Sequence, residues 1–129
     1  MRYASIHGKA IGQQDFQVIL DFFVEHIFDK FMQSGLEGLR FGIDDMMDNL
    51  ETFIKVKAPE LRNCELTVET RTKTRRYIQM EMINGFIRHG TSALDTTIRN
   101  CYQILINMLR DEKCRIDAAI NERRTKGQK

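Results

Sequence analysis

Tryptophan is absent from this chain of 129 residues, proline occurs once and cysteine occurs three times. One proline and eight glycines exclude collagen-like architectures and chains dominated by linkers. The cysteines, Cys64, Cys101 and Cys114, are widely spaced and odd in number, so they provide neither a CxxC metal pair nor an even disulfide framework. We therefore expect reduced thiols in a cytoplasmic protein that holds no metal and no other cofactor.

Long apolar runs are also missing. The most hydrophobic segment, 16–32, carries Asp21, Glu25, Asp29 and Lys30, which is too many charges for a helix that crosses a membrane. The first residues have neither an apolar core nor a small-residue cleavage site, so we expect no secretory signal. The sequence thus predicts a protein without a membrane among its partners.

Hydrophobic residues make up 42% of the chain and charged residues 29%, which predicts one folded domain over residues 1–129. The net charge of +2 hides an uneven distribution. Residues 1–58 contain six Lys and Arg against nine Asp and Glu, whereas residues 59–129 contain 14 against nine. We expect an acidic half, a basic half and a frayed tail over 122–129.

Apolar residues at spacings of three and four predict helices over 13–33, over 34–58 before Pro59, over a short stretch before Gly90, and over roughly 30 residues from Ser92. Residues 60–75 instead alternate threonine and apolar residues with charged ones, which favours a short extended or β segment, with a helix as the alternative. The predicted fold is mainly α, a three- or four-helix bundle with a long C-terminal helix.

Two glycines weaken the start of the second predicted helix. Gly38 and Gly42 lie four residues apart, so this helix begins only near Ile43, or else the glycines let another helix approach closely.

The first predicted helix is apolar around most of its circumference. Its aromatic residues exceed what one neighbouring helix covers, and with the length of the last helix this predicts a homo-oligomer or a subunit of a larger complex. The predicted interface consists of Phe22, Phe23, Phe28 and Phe31. An ordinary core is the alternative for these side chains.

The segment RTKTRRY, 71–77, combines four cations with threonines and a tyrosine and contains no acid. Such patches bind phosphate backbones, and an exposed tyrosine stacks on bases. A second basic group lies near the end of the chain. The predicted nucleic-acid contacts, to RNA or DNA, are Arg71, Lys73, Arg75, Arg76, Tyr77, Arg123, Arg124 and Lys126. Alternatively, the cluster pairs with acids of the same chain, such as Glu65, Glu69, Glu81 or those of the second predicted helix.

Catalytic and metal signatures are weak. Neither His26 nor His89 follows a glutamate at the Glu-x-x-His spacing of di-iron bundles, and no GxSxG, GxGxxG or Walker loop occurs. We therefore expect no catalytic residues. The sequence favours a small non-catalytic helical subunit that self-assembles or docks in a complex and contacts nucleic-acid phosphates through its basic half. A protein adaptor or chaperone-like module is the alternative, and a small enzyme with a carboxylate/His site is the third hypothesis.

Overall fold

The protein is all-α, as expected. The computed structural model describes residues 5–6, 9–10 and 14–127, with side chains over 14–124. Two short antiparallel strands, β1 (Ser5–Ile6) and β2 (Lys9–Ala10), precede three helices. These are α1 (Phe16–Lys57), α2 (Val68–His89) and α3 (Ser92–Gly127), with a 3-10 turn at Pro59–Leu61.

Helix α1 is bent back on itself at Ser34 and Gly35. Ser34 has φ −141°, and Gly35 has φ 61° with ψ −140°. Residues other than glycine rarely adopt this backbone conformation of Gly35. The bend divides α1 into a first limb, 16–33, and a second limb, 36–57. The first two helices predicted from the sequence are these two limbs.

Gly38 and Gly42 let the two limbs pack closely. A Cβ atom at position 38 would lie 1.9 Å from the carbonyl oxygen of Lys30, and one at position 42 would lie 3.2 Å from the Cα of Ile27. Gly38 lies against Lys30 and Gly42 lies against Ile27, so the two limbs run antiparallel. The close-approach interpretation is therefore confirmed. The second limb is already helical before Ile43.

The expected extended segment near residues 60–75 is wrong for its second half, because α2 begins at Val68. The Thr67 hydroxyl caps this helix by accepting a hydrogen bond of 3.1 Å from the Thr70 amide. Thr74, Ile78 and Met82 are buried whereas Arg76 and Met80 between them are exposed, which fits the period of a helix and not the alternation of a strand. Burial on one side of a helix thus overrides the β propensity of the threonines. Residues 62–67 form the connecting loop.

Helix α3 is longer than the core that it packs against. Its 36 residues span about 54 Å at 1.5 Å per residue. Burial ends at Leu109, and beyond it Ile116 is only partly covered. The helix continues to Gly127, where the sequence predicted fraying from 122, and residues 128–129 lie outside the described part. One core joins the elements, its fully enclosed side chains including Ile19, Leu20, Phe23, Ile27, Leu39, Ile43, Met46, Leu50, Ile78, Leu94, Ile98 and Leu109.

Candidate binding surface on α2

The helical period divides the basic cluster 71–77 between two sides of α2. Arg71 and Arg75, four residues apart, turn towards the second limb of α1 and are each about one-third exposed or less, at 29% and 35%. Lys73, Arg76 and Tyr77 are exposed on the opposite side of the helix. The sequence cluster is therefore not one surface, because its two sides have different surroundings.

Arg71 is held by acids of its own chain. Its two terminal nitrogens donate to the two carboxylate oxygens of Glu51 at 2.5 and 2.8 Å, and Glu65 lies 3.8 Å away. Lys55 adds a second cation 3.2 Å from Glu51. Burial alone would raise the pKa of Glu51, but the hydrogen bonds from Arg71 and Lys55 outweigh burial and lower it. The Arg71 fork is occupied by a carboxylate, so it is not presented to a phosphate.

Arg75 continues this internal network one turn further along α2. Its Nε atom lies 3.0 Å from the carboxylate of Asp44, and Gln79 donates to the same carboxylate at 3.1 Å. Asp48 lies between the two ion pairs, where burial raises its pKa in spite of the nearby Arg75 and Arg71. The alternative interpretation of the basic cluster, pairing with the acidic side of the second predicted helix, thus describes Arg71 and Arg75.

The opposite side of α2 exposes apolar side chains between polar ones. Tyr77, Met80 and Ile87 are 53%, 64% and 73% exposed. Lys73 pairs with Glu69 at 3.0 Å, and both side chains are about three-quarters exposed. Asn84 completes the row. We call Lys73, Tyr77, Met80, Asn84 and Ile87 the outer face of α2. The predicted nucleic-acid contacts include only the basic end of this face, although the spacing of four and three residues along the sequence marks the whole row.

The second basic group lies far from the first. Arg123 and Arg124 are exposed on the part of α3 that extends past the core, and the side chain of Lys126 lies outside the described residues. Thr74 of α2 donates to the sulfur of Met108 at 3.6 Å, so these two residues lie at the same height along the packed helices α2 and α3. Arg123 is 15 residues beyond Met108, or about 22 Å along the axis. The structure does not bring the two basic groups together.

The predicted interface aromatics pack largely within the chain. Phe23 is fully buried in the core, so it is a core residue and is not available to a second chain. Phe22 is partly buried and stacks on the ring of His26 at 5.6 Å between centroids. Phe28 and Phe31 are partly buried against Phe86 of α2, at 6.4 and 4.8 Å. The helices of this chain cover more of the first limb than the apolar pattern alone indicated.

Two groups suited to catalysis, His26 and Cys101, are enclosed. The side chain of His26 is 5% exposed and lies 3.5 Å from Asp45 across the two limbs. Burial lowers the pKa of His26 although Asp45 opposes this change. Burial also raises the pKa of the Cys101 thiol to about 12, which keeps it protonated and inert near neutral pH. Among the residues with described positions, no three His, Cys, Asp or Glu side chains form a group that could hold a metal ion.

Comparison with known proteins finds no matching family model, no matching curated protein and no matching solved structure. Within the described part of the chain, none of the helices has the length and apolar character needed to cross a membrane. Function must therefore be inferred from the surfaces described above.

Proposed function

We propose that this protein is a non-catalytic helical module that acts by binding a protein partner through the outer face of α2. The observation that carries the proposal is the exposure of Met80 and Ile87, 64% and 73%, on a helix whose other side is firmly packed. Exposed apolar rows bordered by polar side chains are typical of protein interaction sites. A helix with one stripe in the core and a second stripe in solvent is suited to receive a helix of a partner.

The composition of the outer face supports a protein partner more strongly than a nucleic acid. Methionine and isoleucine gain little from phosphates, whereas their transfer out of water stabilises a protein interface. Methionine in particular adapts its shape to a partner surface. The cations that a nucleic-acid site would need most, Arg71 and Arg75, are paired with Glu51 and Asp44.

The test is crosslinking in living cells with a photoreactive phenylalanine analogue placed at position 80. We expect a discrete protein adduct that is absent when the analogue replaces Gln103, an exposed residue of α3. The mass of the adduct identifies the bound protein. If position 80 gives no more product than position 103, the proposed function is wrong.

Nucleic-acid binding is a second candidate, favoured by one observation. Arg76 and Tyr77 are adjacent, exposed and next to Lys73, so a cation and an aromatic ring face solvent together. This pairing suits a single strand whose bases stack while its phosphates are neutralised. Arg123 and Arg124 would then make separate contacts from the projecting end of α3.

A pair of double variants tests this candidate with a labelled single-stranded RNA. Replacing Lys73 and Arg76 by alanine should weaken binding and flatten the salt dependence by roughly 0.7 for each phosphate that is no longer neutralised, while stability stays unchanged. Replacing Arg71 and Arg75 by alanine should lower stability and leave binding unchanged, because these residues face Glu51 and Asp44. Absence of RNA binding by the wild type at low salt would remove the candidate.

A further inference from the structure

We infer that the partner on the outer face of α2 is a second copy of this chain, whose α2 lies parallel to the first across a two-fold axis. The inference builds on the proposed function, since it names the occupant of the same face. Three features support it: the spacing of the exposed residues, their position relative to the core and the charges that border them.

The outer face has the spacing of a coiled-coil seam. Its five residues follow one another at intervals of four, three, four and three, which is the heptad pattern of a and d positions. Tyr77 and Asn84 take the a positions, and Lys73, Met80 and Ile87 take the d positions. All five are exposed, so they form a solvent-facing row along two heptads of α2.

This row lies opposite the side of α2 that enters the core. Thr74, Ile78 and Met82 are buried, and on a helical wheel they lie about half a turn away from Met80 and Ile87. A second helix can therefore pack on the outer face without displacing a core residue. The two-fold partner would extend away from the first copy on the far side of the α2 pair.

The bordering charges select a parallel arrangement of two copies. Arg76 occupies a g position and Glu81 the following e position, and in a parallel pair each g residue contacts the e residue of the next heptad in the other helix. Arg76 would thus meet Glu81 of the second copy, and the two-fold axis would repeat this pair. Both residues are exposed, and among the described residues neither forms an ion pair within its own chain.

An antiparallel pair gains no such complement. In the register that sets Tyr77 against Met80 of the second copy, Arg76 falls beside Ile83, which carries no charge. Parallel pairing also sets Asn84 against Asn84 of the second copy, and an asparagine at an a position is a known determinant of register and of two-stranded pairing. Two lysines meet at position 73, but each is already partnered by Glu69 at 3.0 Å.

The length of the seam sets the expected affinity of the dimer. From Lys73 to Ile87 the row spans about 21 Å, so the interface falls at the small end of specific protein contacts. We therefore expect a reversible dimer whose population changes with concentration. Sedimentation velocity of the full-length purified chain from about 5 to about 200 μM should show conversion of monomer to dimer.

Charge exchange tests the assigned contacts. Arg76→Glu alone, or Glu81→Arg alone, should raise the dimer dissociation constant about tenfold, because each places like charges together twice. The double variant R76E/E81R should restore wild-type association. Arg110→Glu, which makes the same charge change at an exposed residue of α3, serves as the control and should have no effect.

The parallel arrangement of the two α2 helices is tested by disulfide formation. Cys114, the exposed native thiol, is first replaced by serine so that it does not react. Asn84→Cys should give a disulfide-linked dimer on mild oxidation, whereas Gln103→Cys should not. A wild type that stays monomeric at about 200 μM overturns the inference. A double variant no better than the single ones, or an Asn84→Cys protein that forms no disulfide, also overturns it. A different protein crosslinked at position 80 would overturn this inference yet leave the proposed function standing, while no crosslink at all would remove both.

Discussion

The two sides of α2 carry similar residue types and put them to different use. On the inner side, Arg71 and Arg75 pair with Glu51 and Asp44 of α1, next to the buried Ile78. On the outer side, Arg76 faces solvent, and Met80 is 64% exposed. The contrast shows that a cluster of cations in sequence is not a surface, because a helix turns neighbouring residues such as Arg75 and Arg76 towards different surroundings.

The largest expected difference between the two sides concerns apolar residues. Ile78→Asp places an unpaired carboxylate where the side chain has no exposure, and we expect a loss of roughly 4 kcal/mol or complete unfolding. Met80→Asp, two positions further along the chain, should change the free energy of unfolding by less than about 0.5 kcal/mol. Urea denaturation followed by circular dichroism measures both.

The same Met80→Asp protein should no longer form the proposed α2 pair, so its unfolding is best measured at low concentration against the wild type at equal concentration. Comparable losses of stability in the two variants would mean that Met80 is part of the core after all.

A smaller difference is expected between two glutamates. Glu51→Ala leaves the half-buried guanidinium of Arg71 without its main partner and should cost about 2 kcal/mol. Glu81→Ala removes an exposed carboxylate and should leave monomer stability within about 0.5 kcal/mol of the wild type. Thermal unfolding at neutral pH and at low protein concentration, where the proposed α2 pair is dissociated, compares them. Equal melting temperatures for the two variants would contradict the structural role of the Glu51 pair.

The smallest effect is the pH dependence of this difference. The pKa of Glu51 lies below its ordinary value of 4.5, so its contribution to stability is present above pH 4.5 and is lost as the pH falls through the pKa of the folded state. Asp48 acts in the opposite direction, because burial raises its pKa above the ordinary 3.8. Glu51→Gln should therefore flatten the decline of melting temperature on the acid side of pH 4.5.

Glu81→Gln, measured at low protein concentration where the proposed α2 pair is dissociated, is the matched control for that experiment and should retain the wild-type pH profile. An unchanged acid limb in Glu51→Gln would show that another carboxyl group governs acid unfolding.

Helix α1 illustrates how far sequence reasoning reached. The apolar spacing predicts one helix over 13–33 and a second over 34–58, and these correspond to the two limbs of α1. Whether Gly38 and Gly42 weakened a helix or allowed close packing stayed open, because both follow from a missing side chain. Lys30 and Ile27 lie against these glycines, which shows that the glycines allow close packing. This contact exists only once both limbs of α1 have folded against each other.

Less of the candidate site than of α1 could be predicted from the sequence. Local sequence identified Arg71–Tyr77 as unusual, yet it suggested a strand where the helix had already begun. Without the helical period, the cluster could not be divided into an inner and an outer side. Phe23 was assigned to an interface for a related reason, since sequence does not reveal how much of a helix the other helices of the same chain will cover.

The sequence by itself determined the all-α class, the break between the first two predicted helices, the helix ends at Pro59 and Gly90, and the apolar stripes that form the core. These depend on local backbone preferences and on periodicity. Tertiary structure alone decided which charges pair between helices. Glu51 and Arg71 are 20 residues apart in the chain and meet only because α2 packs on the second limb of α1. Pairing of this kind depends on distances in space, which a linear pattern of residue types does not contain.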